Sequence, residues 1–341
     1  KLGICVVDGF FLASPVKAYR GGKDMRLKTS LFFVLAAAGM LAAGGAAAEY
    51  PERPVTLVIG YPAGGGTDIQ SRALVPYLEK YLGTSVVVEN REGAGGLIGA
   101  TYIANAKPDG YTIGALNFPS MYSPIVQGNA SYKEDAFTPL ANQIGGDLAL
   151  TVNKASPIKT AKEFAEAAKA NPVVVGVTGI GHPSQITALL FEDAAGVKLN
   201  FVPFNGGGPA RLAMLGNHVT LGFMNLNEVF ADNRSGALRV LATSGAERSP
   251  LSPDVPTFKE AGYNVQFSLL AGFGAPKGLP ADVEAKLVDA FQKALKDPDY
   301  LADAKKRELT TLPLTQAEFA EALKKGNANL AELWKSKPWT K

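Results

Sequence analysis

Residues 55–72 read VTLVIGYPAGGGTDIQSR: an apolar β-branched run, three consecutive glycines, then the opening of a helical pattern. VTLVIG (55–60) has the composition of a buried strand. From about Asp68 to Leu82, Ile69, Ala73, Leu74, Tyr77, Leu78 and Tyr81 recur at the spacing of one helix face. Pro76 inside that stretch is expected to kink the helix or cost it a hydrogen bond. Thr67 with Gln70 three residues on fits a capping box, which sets the glycine run on a helix N-terminus. Three glycines there clear space for a phosphate, for another anion, or for a tight turn.

The alternation continues outward from this unit. Strand patterns at VVVE (86–89) and YTIGAL (111–116) flank a helix from Leu97 to about Ala106. A second series runs LALTV, TAKEFAEAAKA (opened by Thr160 and Glu163), VVVGV, the loop TGIGHPS, QITALLFEDAAG, LNFVPF, the loop NGGGP, ARLAMLG, VTLGFM and LRVLATS. VQFSLLAGFGAP (265–276) reads as the chain crossing back to its first half, and helices at about 281–296 and 315–335 complete it. Such alternation predicts an α/β fold of mainly parallel sheets flanked by helices.

Residues 25–48 show a basic start (Arg26, Lys28), an apolar segment from Leu31 to Ala43 and the small-residue end Ala46-Ala47-Ala48. That is the plan of a cleaved signal peptide. It is too short in its apolar part for a spanning helix, and no cysteine follows it to carry lipid. Residues 1–24, ahead of Met25, read as an over-extended start or an expression remnant. Removing 48 of the 341 residues leaves 293, which suits two lobes. Six of the 34 Lys and Arg and two of the 31 Asp and Glu go with the segment, leaving 28 against 29 and a net charge of −1. The net charge of +3 therefore belongs to the export segment, and nothing in the rest is biased towards nucleic acid or anionic lipid. The single cysteine, Cys5, is removed as well, which excludes thiol chemistry and disulfides. With only two histidines, His182 and His218, the composition argues against a histidine metal site, so neither metal nor cofactor is expected.

Three loops join strand to helix with glycines and small hydroxyls: AGGGTD (63–68), TGIGHPS (178–184) and NGGGP (205–209). In open α/β sheets such loops lie at the carboxyl ends of strands, where ligands bind. The N–H groups and dipole of a helix start favour an anion there by roughly 0.3–1 kcal/mol when exposed. Phosphate fits poorly: no Gly-Lys-Ser/Thr occurs, and Gly93-x-Gly95 and Gly179-x-Gly181 are followed by Ile98 and Ser184 where a dinucleotide fingerprint needs glycine. Hydrolysis fits no better, since G-x-S-x-G is absent and His182, beside Ser184, has no orienting acid in view. Asp68 can hydrogen-bond a ligand amine or water, or simply favour the helix dipole.

YPERPVTLVIGYPAGGGTDIQSR, VVVENREGAGGLIGA, KPDGYTIG, VPFNGGGPA and ALRVLATSGAERSPLSPDVPTFKEAGY, in this order and spacing, resemble the extracytoplasmic solute receptors of tripartite tricarboxylate transporters, the Bug family. The likeness runs over residues 50–336. It implies a two-lobe periplasmic binding-protein fold of type II kind, with lobes 49–148 plus 270–341 and 149–269, closing on a small organic acid passed to a membrane permease. An alternative in keeping with the residues alone is a secreted α/β enzyme acting on a small acid. Carried over from the family, ligand contacts fall on Tyr61, Ala63, Gly64, Gly65, Thr67 and Asp68 of the first loop and on Asn117. The second lobe adds Thr178, Gly181, Ser184, Gln185, Phe204, Asn205 and Asn225. Gln185 stands where many relatives have histidine, Phe204 where they have tyrosine, Asn205 where they have lysine, and the acid near Asn225 is missing. That substitution pattern implies a neutral, partly aromatic pocket suited to a monocarboxylate or aromatic acid rather than an amino acid.

Overall fold

The computed structural model describes residues 49–339. The signal segment, Cys5 and the last two residues lie outside the described residues. In chain order the elements are β1 (Val55–Ile59), α1 (Gly66–Leu82), β2 (Val86–Asn90), α2 (Leu97–Ala104), β3 (Thr112–Phe118), α3 (Ser123–Val126) and β4 (Phe137–Asn153). There follow α4 (Ala161–Ala170), β5 (Val173–Val177), α5 (Pro183–Ala195), β6 (Leu199–Pro203), α6 (Gly207–Leu215), β7 (Leu221–Asn225), α7 (Leu226–Ser235) and β8 (Leu238–Thr243). The chain ends with β9 (Ser268–Pro276), α8 (Ala281–Lys296), α9 (Pro298–Lys306), β10 (Thr311–Leu314) and α10 (Gln316–Ser336).

The strands form a curled mixed sheet in the order β2-β1-β3-β9-β4-β7-β5-β6, with β10 and β8 also paired to β4. Pairing is parallel within β2-β1-β3 and β6-β5-β7, the two series built by strand-helix alternation. It is antiparallel where β9 meets β3 and where β4 meets β9 and β7. β4 links the two halves: Phe137–Asp147 runs beside β9, and from Leu148 onward the same strand pairs with β7 and β8. Its seventeen residues exceed the usual strand length of about 5–6, because it pairs in both halves of the sheet in succession.

Each half has its own core. In the first, Leu74, Leu78 and Leu82 of α1 pack with Leu57, Ile59 and Ile113 of the sheet and with Leu287, Phe291 and Leu295 of α8. The C-terminal helices thus complete the core begun by the first strands. Asp297, which caps α9 through the Asp299 amide, also accepts hydrogen bonds from Lys80 (2.8 Å) and Tyr81 (2.9 Å) at the far end of α1. In the second half Phe191 stands among Phe164, Phe223, Phe258 and Tyr263, with ring centroids 4.9–6.0 Å apart. A third cluster joins Phe118, Tyr122, Phe319 and Trp339 to Ile186 and Leu189 of α5.

Local signals are met unevenly. Thr315 and Glu318 form the reciprocal capping box of α10, and Thr160 accepts from the Glu163 amide at 3.1 Å. The box expected at Thr67 is not formed: α1 starts at Gly66, its N-cap is Gly65, and no side chain caps it. Thr67 Oγ1 accepts instead from Asn117 Nδ2 at 2.7 Å. Pro76 lies inside α1, which continues through it to Leu82 and ends at Gly83, where φ is +76°. Gly99 permits α2 to cross the end of β1: a β-carbon there would stand 2.5 Å from the Cα of Gly60. α3, α7, α9 and β10 are elements for which the sequence reading made no provision.

Candidate functional site

The loops after β1 and β6 face one cleft of about 410 Å3, within the range of small-molecule sites. On one side are Tyr61 to Thr67 with Gln70, and Asn117, Phe118 and Ser120 from the end of β3. On the other are Thr178, His182, Pro183, the run Asn205 to Pro209, Asn225 and Glu228, with Leu148 and residues 269–271 between. Among the described residues no lysine or arginine lines it, and no cluster of His, Cys, Asp or Glu could hold a metal.

Two helices begin at this cleft with glycines. In α1 the first intrahelical bond is Ile69 N–H to Gly65 C=O, 2.9 Å, so the N–H groups of Gly66, Thr67 and Asp68 have no intrahelical acceptor. α6 begins at Gly207 behind the N-cap Gly206, which carries no side-chain cap either. Asp68 fixes the first loop from behind: Oδ2 accepts from the Gly64 amide (2.9 Å), and Oδ1 accepts from Asn90 (2.9 Å) and Arg72 (2.8 Å). Burial pushes this carboxyl up, but the Gly64 amide, Asn90 and Arg72 outweigh burial and hold it below its ordinary value. It does not line the cleft.

The expected contacts therefore divide. Tyr61, Ala63, Gly64, Gly65, Thr67, Asn117, Thr178, Asn205 and Asn225 come together at the cleft. Asp68, Gly181, Ser184, Gln185 and Phe204 stand outside its lining. Ser184 Oγ accepts from the Thr178 amide at 2.8 Å, and Gln185 Oε1 accepts from the Gly181 amide at 2.7 Å. These two side chains take up the Thr178 and Gly181 amides of the TGIGHPS loop, and Ser123 Oγ donates to the Gly181 carbonyl. Phe204 packs beside Met214 and Phe230 in the core under α6 and α7. The glycine loop that faces AGGGT across the cleft is consequently NGGGP, while TGIGHPS contributes Thr178, His182 and Pro183. His182 caps α5. Burial holds its imidazole below the ordinary histidine value, with the Gly95 backbone opposing. With Ser184 Oγ shared between the Thr178 amide and hydroxyl, no serine-histidine pair is assembled.

Polar atoms of the cleft are left open. Tyr61 Oη, Asn117 Oδ1 and Glu228 Oε2 are buried with no hydrogen-bond partner among the protein groups. The Tyr61 hydroxyl lies near Ser120 and Asn117, and burial pushes it up to about 12.

Glu228 is the acidic lining residue that sequence reasoning missed, and it sets a carboxyl group in a pocket expected to be neutral. It lies in the first turn of α7, whose N-cap is Asn225; Asn225 Oδ1 accepts from the Asn227 amide at 3.2 Å. Asn225-x-x-Glu228 followed by Gly236, in left-handed conformation at φ +75°, is a helix start-and-stop pattern that was open to reading in the sequence. The carboxyl group lies directly against the start of α6: a β-carbon on Gly207 would collide with both its oxygens, and one on Gly66 would stand 3.9 Å from Oε1. Burial pushes Glu228 up to about 7, with the Asn225 backbone and the charge of Arg211 pulling down.

The comparisons agree with this architecture. The family model described as the tripartite tricarboxylate transporter family receptor, TctC, matches residues 71–321. A protein of Cupriavidus necator from the gbd 5′ region is 35% identical over 297 residues, spanning 84% of this chain and 89% of its own. The solved periplasmic binding protein BugD is 32% identical, with a TM-score of 0.75 over 84% of this chain and 98% of that one. MatC from Rhodopseudomonas palustris, solved with bound malate, is 28% identical, with a TM-score of 0.76 over 83% of this chain and 99% of that one. With that match and that fold, the chain belongs to the TctC family of tripartite tricarboxylate transporter receptors and is a receptor rather than an enzyme.

Proposed function

We propose that this receptor works in the periplasm, having been exported by residues 25–48. There it binds a small organic carboxylate in the cleft and passes it, as a monomer, to the membrane permease subunits of its transporter. The lobes are residues 49–148 with 270–341, and residues 149–269. The change of partner along β4 between Asp147, opposite Ser268, and Leu148, opposite Asn225 supports that division. No described helix is long and apolar enough to cross a membrane.

The observation that carries the reading is the pairing of two uncapped, glycine-built helix starts on one cleft without a cationic side chain. Amides at helix N-termini hold a carboxylate, and glycine brings the backbone within reach. The contacts proposed for the ligand are Tyr61, Ala63 to Thr67, Asn117, Thr178, Asn205 and Asn225, with Asp68, Ser184 and Gln185 shaping the two loops. Gly181 and Phe204 support their surroundings. A related protein solved with malate bound supports an organic acid as the ligand. A secreted enzyme is not favoured, because His182 has neither a nucleophile nor an orienting acid. A thermal-shift screen against dicarboxylates, hydroxy acids, aromatic acids and amino acids tests the proposal. A ligand at 100 times its Kd stabilises by about 2.7 kcal/mol, and no response to any acid would refute it.

A further inference from the structure

The open hydrogen-bonding groups of the cleft are not those of a site built for acids alone. Of the three open atoms, Asn117 Oδ1 is an acceptor, Glu228 Oε2 is one when its carboxyl is ionised, and Tyr61 Oη can donate or accept. No lysine or arginine among the described residues lines the cleft to satisfy them. The nearby cations are committed: Arg72 to Asp68 at 2.8 Å, and Arg211 to both carboxylate oxygens of Asp232. Burying an acceptor without a donor costs about 1–3 kcal/mol, and more for a charged one.

The two helix starts also differ. The start of α6 already faces a carboxylate of the chain itself, since Glu228 lies against Gly207. The start of α1 has no carboxylate packed so closely against it: Asp68 turns away to Arg72 and Asn90, and Glu228 Oε1 stands 3.9 Å from where a β-carbon on Gly66 would lie. A ligand carboxylate therefore belongs at the N–H groups of Gly66 and Thr67, and a group carried beside it on the same ligand meets Glu228 and Asn117, whose amide already donates to Thr67. A second carboxylate there would stand against a like charge with no cation between.

We propose that Glu228 determines the ligand class: a zwitterionic acid, its carboxylate held at the start of α1 and its ammonium donating to Glu228 Oε2 and Asn117 Oδ1. An ammonium offers three donors and no acceptor, which matches the two open acceptors. The inference rests on the carboxylate-receptor reading of the same cleft and narrows it. It also replaces the monocarboxylate or aromatic acid that the missing acid near Asn225 implies, since α7 brings an acid in three residues later.

The test is calorimetric titration with matched pairs that differ by the amine: succinate and aspartate, glutarate and glutamate, butyrate and 4-aminobutyrate. In each pair that binds, the amine-bearing member should bind the wild-type protein at least tenfold more tightly. Glu228→Gln, which keeps the size and removes the charge, should weaken that member by roughly 10- to 100-fold, the worth of one charge-assisted hydrogen bond. It should leave the partner without the amine unchanged or tighter. Glu228→Asp, which keeps the charge, should retain part of the preference, and this separates a lost charge from a damaged fold. Dicarboxylates binding the wild type as well as their amino counterparts, or a preference that survives Glu228→Gln, would overturn the inference and leave the receptor reading standing. Silence of every acid with both proteins would overturn both.

Discussion

Glu228→Gln carries a second consequence that needs no ligand. The folded protein raises this carboxyl from 4.5 to about 7, burial being the largest cause. Between those values the native state binds a proton that the unfolded chain releases, so stability falls as pH rises through the window. Each tenfold change in proton affinity is worth about 1.4 kcal/mol, so the wild type should lose about 3 kcal/mol through this group between pH 4.5 and pH 8. Arg211, itself held by Asp232, is the charged side chain that tempers the effect, and glutamine carries no charge to penalise. Other groups titrate over the same range but do so in both proteins, so the informative quantity is the difference between variant and wild type. Urea melts at pH 5 and pH 8 should show Glu228→Gln gaining on the wild type by about 2–3 kcal/mol between the two, the direction following from the sign above. A difference independent of pH would mean that Glu228 is solvated and that its unpartnered oxygen has no energetic consequence.

Other perturbations are expected to separate loop, core and interhelix contacts. Gly65→Val keeps an allowed backbone, φ −76°, and puts a β-carbon 3.1 Å from the Pro62 carbonyl. It should weaken carboxylate binding by about tenfold or more while the urea midpoint moves little; normal binding would relocate the site. Phe191→Ala, at the centre of the second core, should cost about 3–5 kcal/mol in chemical denaturation. Asp297, held down to about 2 chiefly by its hydrogen bond from Lys80, should stabilise the protein above the ordinary carboxylate value of 3.8 and lose that contribution as pH falls through about 2. Asp297→Asn should therefore lower the urea midpoint at neutral pH, with the gap closing in strong acid.

The legible parts of the fold are those whose cause is local. β1, α1 and the glycine run can be read in place because apolar spacing and consecutive glycines act within a few residues. The loop positions Tyr61 to Thr67 follow, since a strand end and a helix start fix them together. Thr67 misleads because its hydroxyl has a better partner fifty residues away, in Asn117, and Gly65 serves as N-cap instead. The length of β4 is hidden by Gly145, Gly146 and Asp147, which read as a break although they remain paired to β9. α7 escapes notice because it begins directly after β7, so that the apolar run passes from strand to helix without a loop. With that helix goes Glu228, whose side chain reaches Gly207 only through the packing of α7 on α6. Which glycine loop faces the first one is likewise a question of three-dimensional placement: Ser184 and Gln185 close TGIGHPS on itself.

The most direct measurement of the central claim is a crystal structure of the protein with the tightest-binding acid from the screen. The ligand should lie between the two glycine loops, its carboxylate oxygens accepting from the N–H groups at the start of α1 within about 2.7–3.2 Å. A ligand lodged elsewhere, or a carboxylate held by lysine or arginine side chains, would contradict it.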